Sequence, residues 1–508
     1  MLRFAVFEKG KPAKAVDLSG AYLVGGDGVP IRAEIEFKNG EIQCKKRAAG
    51  PAALALMWPL DGGGRMMLET SRLTERNKPY ILQLELLRGR LMRISQKRED
   101  WGLYDFEGTD EIARDIDASR DKLIEGLQAD KPEDAAAISE AGLVLSLNAS
   151  ERLTAFHAEI FLNRRKQIGG FPRRLLGAGI DISCTNDSYR KRLLDAFDYV
   201  HVPINWREVE PREKEFNWKP LDQWIEWTSK NRVPVRGGPL VSFAEDAIPD
   251  WLHIWEHDFD AVRDLVYEHI RRIIGRYGQY IHVWDVISGM HANNCFSFSF
   301  EQLMELTRMA TAVTKQMAPR ALSVIDIITP WGEYYATNQR TIPPMLYAEM
   351  AIQSGVNFDV FGVHCNFGVD ASGYHVRDLF QISSMLDRFA CFGKPVHLTG
   401  IGVPSGATKD PHDAWKGEKS PTAGGAWHKN WNEETQKAWL RRVYHIALSK
   451  PFVEALTWCD FADSGKHVMP HGGLLRSDFR TKPAYQEILN IRKELSGAGE
   501  KSESVSQA

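Results

Sequence analysis

Eight apolar runs, each followed by an amphipathic helical stretch, constrain this chain more than any other feature. They lie at residues 175–180, 199–206, 233–241, 280–287, 321–328, 358–364, 395–401 and 453–461. Helical periodicity fills the intervals, for example at 260–277, 300–317, 376–392 and 434–449. Strands that read as continuous apolar runs are buried on both faces, the condition of a parallel sheet covered by helices. Eight such units in about 325 residues predict an α/β fold, a (β/α)8 TIM barrel, with its chemistry at the C-terminal tips of the strands.

Before the barrel the pattern differs. Residues 31–37 and 41–45 flank Asn39-Gly40, a strong hairpin signal, so residues 1–78 are expected to form a small antiparallel β domain. It is a candidate carbohydrate-binding module, although no diagnostic site marks it. From Pro79 the period lengthens: Ile81, Leu84, Leu87, Leu91 and Ile94 share one helical face, and further helices are expected near 109–129 and 132–165. A helical segment is therefore assigned to 79–168, with Gly169-Gly170 as the boundary, the barrel to 169–495, and a flexible polar tail to 496–508. Asp61-Gly62-Gly63-Gly64 reads as a turn, because it lacks the strand-to-helix setting and the Lys-Ser/Thr ending of a phosphate loop.

Charge narrows the partners. Lys and Arg total 64 against 67 Asp and Glu, a net charge of −3, which argues against nucleic acid or an anionic membrane and for a neutral or small ligand. No apolar signal region opens the chain and no window of about 18 apolar residues occurs, so a cytoplasmic location is expected. Six cysteines without Cys-x-x-Cys spacing read as reduced, buried thiols rather than a disulfide framework or a zinc site. No cofactor motif is present, and the oligomeric state is left open. The 15 tryptophans point to the stacking of a flat, half-polar ligand.

The strand tips carry a resemblance. Trp206-Arg-Glu-Val-Glu210-Pro211, Val235-Arg236-Gly237, Pro249-Asp-Trp251-Leu252, Trp284-Asp285-Val286, Thr457-Trp458, Gly473-Leu474-Leu475 and Lys482-Pro483-Ala484-Tyr485 occur in order and spacing similar to those of glycoside hydrolase family 10, the endo-1,4-β-xylanases. The resemblance implies retaining hydrolysis of β-1,4-xylan by two carboxylates about 5 Å apart. At the matching positions this chain has Gly289 for the acid/base and Gly400 for the nucleophile. No shift restores the pair, since neither 286–300 nor 388–409 contains Asp or Glu. The family's Arg-Gly-His is Arg236-Gly237-Gly238, its Trp-His is Ser242-Phe243, its Gln-x-His is His364-Cys365-Asn366, and its Lys before the second-strand Trp is Asn205.

Rebuilt chemistry would need other tip groups, and the candidates are Asp460, Asp326, Asp463, Glu333 and His364. Asp285, four residues before Gly289, is expected roughly 13 Å deeper in the barrel as a structural acid. His201, His364 and His397 lie on strands two, six and seven, but no His-x-His pair or His-Glu-x-x-His helix fixes a metal geometry, and no metal site is assigned. Glycan contacts are expected from Trp206, Asn205, Phe243, Trp331, Tyr334, Asn366, Trp458 and His467. Trp251, Tyr335, Trp427 and Trp431 also lie near strand ends, and residues 404–432 read as a cleft-covering loop or linker. The expected function is binding of a neutral oligosaccharide or glycoside by a pseudoenzyme. The alternatives are an active hydrolase of O-glycosyl bonds using rebuilt acids or a metal on His364, and an interaction scaffold in which the N-terminal segment does the work.

Overall fold

The computed structural model describes residues 1–103, 107–338 and 340–505. The barrel is closed by eight parallel strands: β1 (Leu176–Gly179), β2 (Tyr199–Pro203), β3 (Val235–Gly238), β4 (Ile281–Ser288), β5 (Leu322–Ile327), β6 (Val360–Asn366), β7 (Val396–Gly402) and β8 (Val453–Trp458). Each lies within an apolar run of the sequence or reaches one or two residues past it, as burial on both faces requires. Register slips between Val363 and His364 on β6, and between Leu398 and Ile401 on β7, bring His364 opposite Gly400. Irregularities at barrel rims re-aim side chains, and this one sets the candidate site.

Among the described residues two small sheets and a two-stranded pair, Phe7–Glu8 with Lys11–Pro12, precede the barrel. One orders Tyr80–Ile81, Leu2–Ala5, Glu41–Lys46 and Ala33–Lys38, with Tyr80–Ile81 parallel to Leu2–Ala5. The other contains Tyr22–Val24, Pro30–Ile31, Ala53–Leu60 and Gly64–Glu69. Its outer strand, Ala426–Trp427, comes from the loop that follows β7 and pairs antiparallel to Gly64–Glu69. Backbone approach there is close enough that a Cβ on Gly64, at φ +85°, would lie 2.2 Å from the Ala426 carbonyl oxygen. Only glycine fits. Residues 404–432 are therefore a strap between the barrel and the N-terminal sheet, neither a free linker nor a plain lid.

The helices α1 (Leu82–Asp100), α2 (Asp110–Gln128) and α3 (Pro132–Gln167) pack together and against the barrel flank. Arg90 on α1 donates to both carboxylate oxygens of Asp378, at 2.8 and 3.0 Å, and both residues are fully buried. Arg165 on α3 donates to the carbonyls of Leu448, Lys450 and Val453 just before and within β8. Trp427 and His428 of the strap meet Glu151 of α3 at 2.9 and 2.6 Å. The last helix, Pro483–Val505, runs into the segment expected to be a flexible tail, and residues 506–508 of that tail lie outside the described residues. Among the described residues no helix is long and apolar enough to cross a membrane.

Candidate functional site at the barrel tips

Below the tips the barrel is closed by a charged layer. Arg236 on β3 donates through Nε to both oxygens of Asp285 on β4 at 2.9 Å, and His201 on β2 lies 3.3 Å from the same carboxylate. The Tyr199 hydroxyl shares a 2.8 Å hydrogen bond with Thr457 on β8. Burial opposes ionisation of Asp285, but Arg236 and His201 outweigh it and lower its pKa. This acid supports the barrel and is committed to its partners.

Above that layer β4 ends at Gly289, where φ is +65° and a Cβ would stand 2.6 Å from Ile328 Cδ1 and 3.0 Å from Asn293 Nδ2. Its carbonyl accepts from the backbone N–H of Ala292 and Asn293, closing a tight turn. On β7 a Cβ at Gly400 would meet Cys459 Sγ at 3.1 Å and His364 Cδ2 at 3.2 Å. The side-chain space at Gly400 is thus taken by a ring from β6 and a thiol just past β8. Cys459 donates in turn to Asn366 Oδ1 at 3.2 Å. Burial, with nearby Asp460, pushes the Cys459 thiol far above its ordinary pKa, so it is a neutral donor rather than a nucleophile.

His364 is the best-placed titratable group on these tips. Its Nε2 lies 2.8 Å from Asp326 Oδ2, and the side chain is 25% exposed. Asp326 also accepts from Ser288 at 2.8 Å and from Thr399. Burial raises the Asp326 pKa, but the charge and hydrogen bond of His364, the Thr399 bond and Arg236 outweigh it and hold the carboxylate well below its usual range. Asp326 therefore orients His364 and has no proton to give near neutral pH. Tyr374, from the loop after β6, stands edge-on to Trp415 of the strap with ring centroids 5.0 Å apart. Burial, together with Cys459, Asp246, Asp326 and Asp460, raises the pKa of its hydroxyl. Neither Tyr374 nor Trp415 was singled out from the sequence. The usable signal was position: one follows β6 directly, and the other is a Trp within the long tip loop.

Comparison with known proteins fits this architecture. The sequence model of glycosyl hydrolase family 10 matches residues 176–491, more than half of the chain. The chain belongs to glycosyl hydrolase family 10. Endo-1,4-beta-xylanase B of Thermotoga neapolitana is 21% identical over 307 residues, covering 57% of this chain and 79% of that protein. Endo-1,4-beta-xylanase B of Paenibacillus barcinonensis is 28% identical over 210 residues, covering 39% and 60%. The crystal structure of xylanase 10B from Thermotoga petrophila with xylobiose covers 66% of this chain and 97% of its own, at 17% identity and a TM-score of 0.47.

Within this family 10 barrel most of the acids named from the sequence serve the framework. Asp460 accepts from the backbone N–H of Val468 and Met469 at 2.8 and 2.9 Å, which holds the loop after β8. Asp463 accepts from the Gly473 N–H at 2.7 Å and pairs with Lys482 at 2.6 Å. Glu333 is buried against Arg377 and accepts from the Gly373 N–H at 2.7 Å. Burial is outweighed there by Arg377, His375 and that N–H, and the Glu333 pKa falls to about 2. Among the described residues no three His, Cys, Asp or Glu side chains converge as a metal site would require.

The aromatic candidates divide by packing. Trp458 is 0% exposed and donates to the Gly472 carbonyl, so it offers no open face for stacking. Trp206 is stacked on His269 at 4.2 Å and bonded to Glu210, and Phe243 is buried among Phe296 and Phe298. Tyr334 is buried and donates to the Ile342 carbonyl. Trp331 is half-buried, with the Arg377 guanidinium 5.0 Å from its ring. Asn205 donates to the Asp246 carbonyl at 3.2 Å, while its Oδ1 has no hydrogen-bond partner among the described residues. Trp206, Tyr334 and Trp458 are held in the rim because their indole and phenol donors find carboxylate or backbone partners there.

His467 is part of a latch. Its Nε2 lies 2.8 Å from Asp410 of the strap, which also accepts from the His471 N–H at 2.8 Å. Burial disfavours the imidazolium, but the Asp410 bond and the carboxylates of Asp460, Asp410 and Asp463 prevail and raise its pKa to about 8. Because the folded value exceeds the unfolded one of about 6.5, this contribution is complete below that pH and is lost as pH rises through 8. We expect Tm to fall more between pH 6 and pH 9 in the wild type than in His467→Gln, by the equivalent of about 1–2 kcal/mol. Equal falls in thermal melts would remove the latch from the account.

Proposed function

We propose that this chain binds a neutral oligosaccharide or glycoside at its barrel tips and does not cleave it by the retaining two-carboxylate mechanism. One observation supports the reading: at the positions that the resemblance matches to the catalytic pair the sequence has Gly289 and Gly400, and His364 and Cys459 crowd the second. Removing two groups that act together costs many orders of magnitude in rate. A neutral ligand is favoured because the tip charges are already engaged, Asp326 by His364, Asp460 by loop amides and Asp410 by His467. Tyr374 and Trp415 supply the half-open aromatic pair, and Asn205 Oδ1 an unsatisfied acceptor.

Xylanase relatives make β-1,4-xylooligosaccharides the first members of a test panel. In calorimetry at least one oligosaccharide of a broad neutral panel is expected to bind, with a loss of about ten-fold or more in Tyr374→Ala, the usual scale for removing an aromatic anchor. If no member binds, the reading fails. A second reading, hydrolysis through rebuilt groups, has the oriented His364–Asp326 pair in its favour. Prolonged incubation with xylohexaose, read by mass spectrometry, separates the two, since cleavage lost in Asp326→Asn would make the second reading correct.

A further inference from the structure

A groove of about 990 Å³ opens between the N-terminal strands and the first half of α3, outside the barrel. Val16, Met57, Pro59, Ala136 and Val144 give it apolar walls. Two polar groups stand in those walls. Glu140 accepts from the Trp58 indole N–H through both carboxylate oxygens, at 3.0 and 3.2 Å, and forms no ion pair among the described residues. Gln83, 3% exposed, donates to the Phe7 carbonyl, and its own carboxamide oxygen has no hydrogen-bond partner among the described residues.

Each offers an acceptor, Glu140 its carboxylate and Gln83 its carboxamide oxygen, and the Trp58 indole N–H is already spent on Glu140. A carboxylate in apolar surroundings with no cation is costly, and a ligand that brings the cation recovers that cost. The remaining charges around the groove are Glu8, Asp17, Asp61 and Glu133 against Lys9 and Arg65, so the rim favours a cation as well. Arg65 is itself paired with Asp17. We propose that this groove binds an amphipathic amine, its apolar body between α3 and the strands and its ammonium on Glu140. A volume of this size with few convergent polar groups is that of a small-molecule pocket. Burial, opposed only by the Trp58 bond, raises the Glu140 pKa to about 7, so binding tightens as pH rises through that value and releases a proton near it.

The probe is 4-phenylbutylamine, with 4-phenylbutanol and 4-phenylbutyrate as its neutral and anionic counterparts, titrated into the full chain by calorimetry. At pH 8 the amine is expected to bind about ten-fold or more tighter than the alcohol, the scale of one unit of proton linkage. Glu140→Gln is expected to bring amine and alcohol within about two-fold of each other. Ala141→Trp, on the exposed flank of α3, fills the groove and should abolish binding of both, with the far-UV spectrum unchanged. Repeating the titration at pH 6.5 in two buffers of different ionisation enthalpy should show proton release in the wild type only. Equal binding of all three probes, no binding at millimolar amine, or amine binding that survives both substitutions would each overturn the proposal. Glycan binding at the barrel tips is expected to be the same in both variants, which keeps the two sites distinguishable.

Discussion

Arg236→Met is expected to lower the unfolding free energy by about 3–5 kcal/mol, the scale for stranding one partner of a buried ion pair. Arg236 and Asp285 are 2% and 4% exposed, and water cannot replace the guanidinium there. The stranded Asp285 would keep only His201, 3.3 Å away. Removing both charges in Arg236→Met, Asp285→Leu should recover much of the loss, because an apolar pair of similar volume is often neutral. Urea titration at constant m-value measures both variants. A single-variant cost below about 1 kcal/mol would mean that water reaches this layer.

Placing glutamates at Gly289 and Gly400 should give no xylanase chemistry and should cost stability. In Gly289→Glu the new Cβ lies 2.6 Å from Ile328 in a left-handed backbone, and in Gly400→Glu it presses on His364 and Cys459. Overpacking and positive-φ strain together are expected to cost about 3–6 kcal/mol in the double variant. No cleavage of xylohexaose is expected, because the side chains cannot take up facing positions about 5 Å apart. Adding His364→Ala should recover part of the stability lost at Gly400 and none of that lost at Gly289, since only the former contacts this ring. Xylose oligomers of retained configuration from the double variant would refute this account.

The barrel was legible because parallel strands buried on both faces leave runs such as 358–364 and 395–401, and these became β6 and β7. The tips were less legible for a physical reason. The family motifs that persist here hold the rim: Trp206 bonds Glu210, Trp251 donates to the Glu210 carbonyl, and Lys482 binds Asp463. Their survival reports the framework and is silent on the reaction. His364 over Gly400 depends on register slips that no periodicity records. Asp460 and Asp463 sit where catalytic acids could, and only their backbone N–H partners reveal that they hold loops. Ala426–Trp427 is too short for any strand signal, so the strap was read as a cover or linker.

That strand also orders the birth of the protein. Gly64–Glu69 leaves the ribosome as a sheet edge whose partner is encoded about 360 residues later, a delay on the order of tens of seconds at bacterial or eukaryotic synthesis rates. During that interval the Gly64–Arg65 end of the edge, next to Met66, is open to other chains. Nascent chains stalled before Trp427 should accordingly recruit chaperones and crosslink to one another, and release past that point should end it.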